Sequence, residues 1–97
     1  MNQGTQNHQP VGLQLNTQQL EYLVATAEAP TAVEAAKGLG VTPSALSQGL
    51  GELERRLGLQ LFERQGRTRT LSPHGREAVE YARQILGLTG DMARWAE

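Results

Sequence analysis

A leucine repeat in the middle of the chain is the feature that most constrains the fold. At 100° per residue, four leucines in "VTPSALSQGLGELERRLG" fall within about 60° of one another on a helix. They are Leu46, Leu50, Leu53 and Leu57. Thr42 supplies an N-cap, Pro43 suits the first turn, and Gly58 ends the helix. The repeat therefore predicts a helix with one buried face and a polar outer face.

Two further helices are predicted before this one. The first begins at Asn16 or Thr17, and Pro30 ends it. Its inward residues are Leu20, Leu23, Val24 and Ala27. Thr31 and Glu34 have capping-box spacing and open a helix over about 32–39, which Gly40 ends. In this second helix we expect Val33, Ala36 and Leu39 to face inward.

The stretch "LQLFERQGRTRTLS" has a different pattern, typical of a β-hairpin. Leu59 and Leu61 suggest one extended run, and Arg69 and Leu71 suggest another. Gln65-Gly66 lies between the two runs and provides the turn. The sequence predicts a short hairpin with an arginine-rich tip.

A long last helix is predicted from Ser72-Pro73, which repeats the combination of cap and proline, to the C-terminus. Apolar and small residues recur in it at spacings of four and three, close to a heptad seam. The predicted dimer contacts are Ala78, Ala82, Ile85, Leu86, Thr89, Met92 and Ala93. The alternative is a surface helix with one packed face. The seam is favoured because no later element covers this helix, which would leave Trp95 exposed.

These elements give a mainly α fold, a winged helix-turn-helix of three helices and a β-hairpin, followed by a long helix. The expected domains are a flexible tail over 1–15, a winged helix-turn-helix domain over 16–72 and a linker or dimerisation helix over 73–97. With 97 residues, of which 38% are apolar and 20% charged, the chain can form one small domain.

Composition argues against several functions. The chain has no cysteine, and His8 and His74 lie far apart, so we expect no metal site and no cofactor. Neither a Ser-His-Asp arrangement nor a glycine-rich phosphate loop is recognisable, so no enzyme is predicted. No apolar run approaches the roughly 18 residues of a membrane span, and the first 16 residues are not expected to be a signal peptide, because they have neither a positive n-region nor an apolar h-region. A cytoplasmic protein is the simplest fit.

The charge is unevenly distributed, which bears on the partner. The net charge is −1, yet residues 64–76 contain Arg64, Arg67, Arg69 and Arg76 and no acid. A local basic patch, rather than the total charge, is what a phosphate backbone meets. The order helix, glycine turn, helix and basic hairpin is typical of a winged helix-turn-helix. Ser44, Ser47 and Gln48, in the first two turns of its second helix, are then placed to contact base edges.

Residues 15–97 resemble the N-terminal domain of LysR-type transcriptional regulators. "AAKGLGVTPSALS", "LERRLGLQLFER" and "TLSPHG" are similar to motifs of that family at the same spacings. The resemblance implies major-groove contacts from Pro43, Ser44, Ser47 and Gln48, and a minor-groove contact from Arg67. Thr31 and Arg64 would contact the backbone. The full set of expected DNA-binding residues is Thr31, Thr42, Pro43, Ser44, Ser47, Gln48, Arg55, Arg64, Arg67, Thr68 and Arg69.

The family implies a bacterial cytoplasmic regulator that binds dyad-related half-sites of double-stranded DNA as a homodimer through its last helix. A small-molecule effector would act only through a further α/β domain, absent from this chain. We therefore expect a truncated DNA-binding piece, the alternative being a natural stand-alone domain. The sequence departs from the family at Gln48, where Arg is frequent, at Gly49 and Gly51, and at the acidic Glu52.

Two rival interpretations remain open. One is a protein-interaction module that uses the long helix and has lost DNA binding, in line with the low positive charge of residues 42–53. The other is a winged-helix regulator of another family with a different dimer arrangement.

Overall fold

Within residues 15–66 and 68–97, which the computed structural model describes, four helices and one hairpin follow each other. The elements are α1 (Thr17–Glu28), α2 (Ala32–Leu39), α3 (Pro43–Leu57), β1 (Phe62–Gln65), β2 (Thr68–Leu71) and α4 (Pro73–Ala96). This order confirms the predicted mainly α winged helix-turn-helix with a long last helix.

Each helix begins at a polar cap. In all four helices the cap side chain accepts a hydrogen bond from the backbone N–H three residues later, at 2.9–3.1 Å. The caps are Asn16, Thr31, Thr42 and Ser72. Gly40 and Gly58 end α2 and α3 with φ of 73° and 69°, values that glycine adopts without strain. These local signals explain why the helix ends could be predicted.

The core lies where α1 meets the other three helices. Its buried apolar residues are Leu20, Tyr22, Leu23, Ala35, Ala36, Leu46, Leu50, Leu53, Leu61, Phe62, Val79 and Ala82. Of the predicted tail, residues 1–14 lie outside the described residues. Leu15 is half-buried and packs against the core.

The inward face of α2 differs from the prediction. Val33 is 61% exposed, whereas Ala35 and Ala36 are buried. On a helical wheel Ala35, Ala36 and Leu39 span about 100°, and Val33 lies about 60° beyond Ala36, outside this arc. The small alanine side chains form the inner face, so the prediction for Val33 was wrong.

The hairpin, residues 62–71, is referred to below as the wing. Its antiparallel register pairs Phe62 with Leu71 and Arg64 with Arg69. Leu59 and Leu61, which were predicted to be extended, precede β1. The Leu61 N–H donates to Glu54 Oε2 on α3 at 2.8 Å, so it is not available for strand pairing. The paired strands therefore begin one residue later, at Phe62.

Candidate nucleic-acid interface

The N-terminal turns of α3 present a polar surface. Thr42, Pro43, Ser44, Ser47 and Gln48 are all exposed. Behind them, the leucine stripe is fixed in the core, with Leu46, Leu50 and Leu53 buried and Leu57 half-buried. The N-terminus of a helix also carries a partial positive charge and unpaired N–H groups. This end of α3 is therefore suited to polar and anionic partners.

A glycine sets how closely α3 approaches α1. A Cβ at Gly49 would lie 2.5 Å from Cδ2 of Tyr22, whose side chain is buried. A Cβ at Gly51 would meet only Arg55 Nη1, at 3.9 Å. Gly49 thus lies at a helix–helix contact, whereas Gly51 lies on the outer side of α3 with only Arg55 near it.

The second half of α3 carries an ionic cluster. Arg55 Nη2 donates to Glu52 Oε1, and Arg56 Nε donates to Glu52 Oε2 at 2.8 Å. These hydrogen bonds, that from Arg55 foremost, hold the pKa of the Glu52 carboxyl below its ordinary value. Arg55, predicted to contact DNA, is exposed and is engaged by a carboxylate of its own helix.

The wing brings two arginines side by side. Arg64 and Arg69 occupy paired positions on β1 and β2. The guanidinium carbon of Arg69 lies 4.9 Å from the centroid of the Phe62 ring, a cation–π distance. Like charges at paired positions repel, so an anion bound between them would be stabilised. Arg67 lies outside the described residues, and of Thr68 only the backbone, paired with Gln65, is described.

A groove of about 760 Å³ connects α3 to the wing. Thr31, Pro43, Ser47, Arg64 and Arg69 all line it. Apolar residues, including Leu46, Leu50 and Phe62, line the rest. The structure therefore brings five of the predicted contact residues to one cavity. Thr42, Ser44, Gln48 and Arg55 are exposed outside its lining.

Residues between the wing and α4 form a hydrogen-bonded joint that sequence reasoning missed. Ser72 Oγ donates to Gln60 O at 2.6 Å, and Ser72 N donates to Leu61 O at 2.8 Å. Gly75 N donates to Ser72 Oγ at 2.9 Å, and a Cβ at Gly75 would overlap Leu61 O. The only sequence signal for this joint is the cap-and-proline pattern of Ser72-Pro73.

The residues predicted as dimer contacts on α4 are divided between its buried and its exposed side. Ala82 is 0% exposed, Val79 is buried, and Ala78 and Leu86 are half-buried against the core of the same chain. Ala78, Ala82 and Leu86 therefore pack within their own chain, because α4 lies along α1. Ile85, Thr89, Met92 and Ala93 are exposed. The large exposed apolar residues instead form a second row, the apolar stripe, made of Tyr81, Ile85, Leu88, Met92 and Trp95.

In the described residues, no group of three or more His, Cys, Asp or Glu is arranged to hold a metal ion. His74 is exposed in the first turn of α4. None of the four helices in the described ranges is long and apolar enough to cross a membrane.

A family model described as "Bacterial regulatory helix-turn-helix protein, lysR family" matches residues 17–76. The HTH-type transcriptional regulator PecT of Dickeya dadantii is 40% identical over 82 residues, covering 84% of this chain and 26% of PecT. The HTH-type transcriptional regulator EstR of Acinetobacter baylyi is 43% identical over 76 residues, covering 78% of this chain and 25% of EstR. The chain thus spans about a quarter of the length of these relatives.

Solved structures show the same fold. The BenM_DBD/catB site 1 DNA complex superposes with a TM-score of 0.79 at 30% identity, covering 84% of this chain and 91% of that chain. Full-length CbnR complexed with the target DNA superposes with a TM-score of 0.78 at 35% identity, covering 84% of this chain and 28% of that chain. The curated relatives described above are named as transcriptional regulators rather than as enzymes.

Proposed function

Because the chain belongs to the LysR family of bacterial regulatory helix-turn-helix proteins, we propose that it is the sequence-specific DNA-binding part of a cytoplasmic transcriptional regulator. One observation carries the proposal. Pro43 and Ser47, in the exposed N-terminal turns of α3, line one groove with Arg64 and Arg69 of the wing. A helix N-terminus that meets base edges beside a cationic hairpin that meets phosphates is the arrangement that double-stranded DNA requires.

The residues divide into two groups by chemistry. Ser44, Ser47 and Gln48 contact bases, and the Gln48 amide suits adenine N6 and N7. The remaining proposed contacts position the protein on the sugar-phosphate backbone and in the minor groove. They are Thr31, Thr42, Arg64, Arg67, Thr68 and Arg69, whereas Pro43 lies in the major groove beside the side chains that contact bases.

Site selection from a random duplex library with the 97-residue chain tests the proposal, since it gives both a motif and a half-site spacing. Retardation of a selected and a scrambled duplex at two salt concentrations should show specific, salt-sensitive binding. If the chain retards neither duplex, it is an interaction module and the proposal is wrong.

The two groups predict different mutational effects. Gln48→Ala should relax discrimination at one base pair per half-site, a loss of about 1–3 kcal/mol of base preference. Arg64→Ala should weaken binding to all duplexes and reduce the salt slope by about 1. Titration on a panel of single-base variants checks both, and an unchanged preference profile for Gln48→Ala would refute its role in base contact.

We further propose that the chain dimerises through the apolar stripe of α4. Its residues are 40–81% exposed, and their spacing of 4, 3, 4 and 3 is that of a helix–helix seam. The stripe matches itself when two helices run antiparallel with Leu88 opposite Leu88, because Tyr81 then faces Trp95 and Ile85 faces Met92. Such self-complementarity is what a two-fold interface needs, and a two-fold dimer suits dyad-related half-sites.

A further inference from the structure

Glu52 occupies an unusual place for an acid. It lies four residues after Gln48, about 40° around the helix from it, and Arg55 lies within about 20° of Gln48 on the same side. The outer face of α3, made of Ser44, Gln48, Gly51 and Arg55, therefore has a carboxylate on its edge. A carboxylate on a surface that meets phosphates opposes binding unless a cation neutralises it.

The structure shows what this carboxylate does. One oxygen accepts from Arg55 and the other from Arg56. The Arg55 side chain extends back beside Gly51, where a Cβ would lie 3.9 Å from Nη1. The Arg55 guanidinium is thus held along the helix surface, although its side chain is 70% exposed.

The charges along α3 also indicate that Glu52 neutralises Arg55. The helix contains two acids, Glu52 and Glu54, and two bases, Arg55 and Arg56, so its formal net charge is zero. The Glu54 carboxylate has another partner, because it accepts a hydrogen bond from the Leu61 N–H. This bond joins α3 to the residue just before the wing. Glu52 is therefore the acid that neutralises the arginine on the outer face.

We infer that Glu52 tunes the overall affinity for DNA, because it holds Arg55 against α3 and so withholds a cation from the DNA backbone. The inference rests on the proposed DNA-binding function. Phosphate contacts strengthen binding to every sequence alike, whereas base contacts distinguish sequences. Withholding one phosphate contact lowers affinity for every duplex alike and leaves discrimination between sequences to Ser44, Ser47 and Gln48.

The decisive variant is Glu52→Gln, which keeps the shape of the side chain and removes its charge. With Arg55 released to a phosphate, the slope of log affinity against log salt should steepen by about 0.9. If the lines for the two proteins meet at 1 M salt, this slope corresponds to about eight-fold tighter binding at 0.1 M. The rise should be equal for a selected and a scrambled duplex. Glu52→Ala, which leaves no acceptor, should give at least the same rise.

A matched control separates this local effect from the change in net charge. Glu80 makes an i,i+3 pair with Arg83 on α4, at 2.8 Å, so Glu80→Gln removes the same charge from a similar pair on another helix. It should leave the salt slope unchanged. Adding Arg55→Ala to Glu52→Gln should return the slope to that of the unmodified chain.

Several outcomes would overturn the inference while leaving the proposed function intact. The first is that Glu52→Gln and Glu80→Gln change the salt slope equally. The second is that the gain persists without Arg55. The third is that Glu52→Gln weakens binding and alters preference at one base pair, which would make Glu52 a direct reader of cytosine N4. Failure of the proposed function itself is distinguishable, because the unmodified chain would then show no salt-sensitive retardation.

Discussion

Tyr22 and Gly49 show how single residues set the position of α3. The buried Tyr22 ring occupies the space that a side chain at position 49 would need. Alanine favours a helix over glycine by about 1 kcal/mol, but the buried Tyr22 ring would have to shift to admit the new methyl group. We expect Gly49→Ala to lower the free energy of unfolding by about 1–3 kcal/mol, as overpacking does, measured by urea denaturation.

Gly51→Ala is the matched control, since it changes the same residue type two positions along the same helix. A Cβ there would contact only the end of Arg55, so we expect a gain of about 0.5–1 kcal/mol. If Gly49→Ala stabilised the chain as much as Gly51→Ala does, the contact between α1 and α3 would be looser than described.

The Glu52 carboxyl gives a second prediction at this scale. Its pKa lies below the ordinary glutamate value chiefly because of the hydrogen bond from Arg55, then that from Arg56. Any stability this group contributes is therefore complete above the unfolded pKa, and it is lost as the pH falls through the lower folded pKa. Arg55→Ala should raise the Glu52 pKa in a carboxyl-carbon NMR titration, and Arg56→Ala should raise it less. An unshifted value in Arg55→Ala would contradict the described pairing.

The sequence patterns predicted which side of a helix a residue lies on better than which residue of another helix it contacts. The leucine stripe and the positions of Gly49 and Gly51 follow from angles around one helix, which the sequence contains. Tyr22 as the partner of Gly49 does not follow, because it depends on how two helices cross. The prediction that Val33 faces inward was wrong for a related reason. Which face of a short helix is buried depends on the elements packed against it and not on hydrophobicity alone.

At the scale of elements, the joint between the wing and α4 rests on backbone proximity. Gly75 lies in the first turn of α4, where an added Cβ would overlap the Leu61 carbonyl oxygen. Because that atom is backbone rather than a mobile side chain, Gly75→Ala should destabilise the chain by about 3 kcal/mol. Thermal unfolding followed by circular dichroism measures the effect.

Gly87 on the same helix offers the comparison, as nothing lies within 4 Å of a Cβ there. Gly87→Ala should raise stability by up to about 1 kcal/mol. Equal effects of the two substitutions would mean that the close approach of α4 to Leu61 contributes nothing.

Element ends were predictable where the signal lies within a few residues, as at the four polar caps and at Gly40 and Gly58. The start of β1 was not, because the Leu61 N–H bonds to Glu54, seven residues earlier on another element. The correct inner face of α4 likewise required the position of α1, against which Ala82 is buried.

For the whole molecule, the apolar stripe predicts association of two copies. Leu88 is 67% exposed at its centre, so Leu88→Glu should place two carboxylates opposite each other in the dimer and yield a monomer in sedimentation equilibrium. In the unmodified chain, Trp95 emission should shift to the blue as concentration rises, because the exposed indole becomes buried on pairing.

Ala93→Glu distinguishes the apolar stripe from the seam first predicted on α4. Ala93 belongs to that earlier seam and lies about 120° from the centre of the stripe. Its substitution should leave the dimer intact. A monomer from Ala93→Glu together with a dimer from Leu88→Glu would favour the earlier seam.

The joint at Ser72 has a mechanical consequence. Three hydrogen bonds through this residue fasten Gln60 and Leu61, which precede the wing, to the first turn of α4. Leu61 also donates its N–H to Glu54, so the base of the wing is held by α3 as well as by α4. We therefore expect a force applied to the start of α4 to reach the base of the hairpin through one short, hydrogen-bonded link rather than through a flexible linker.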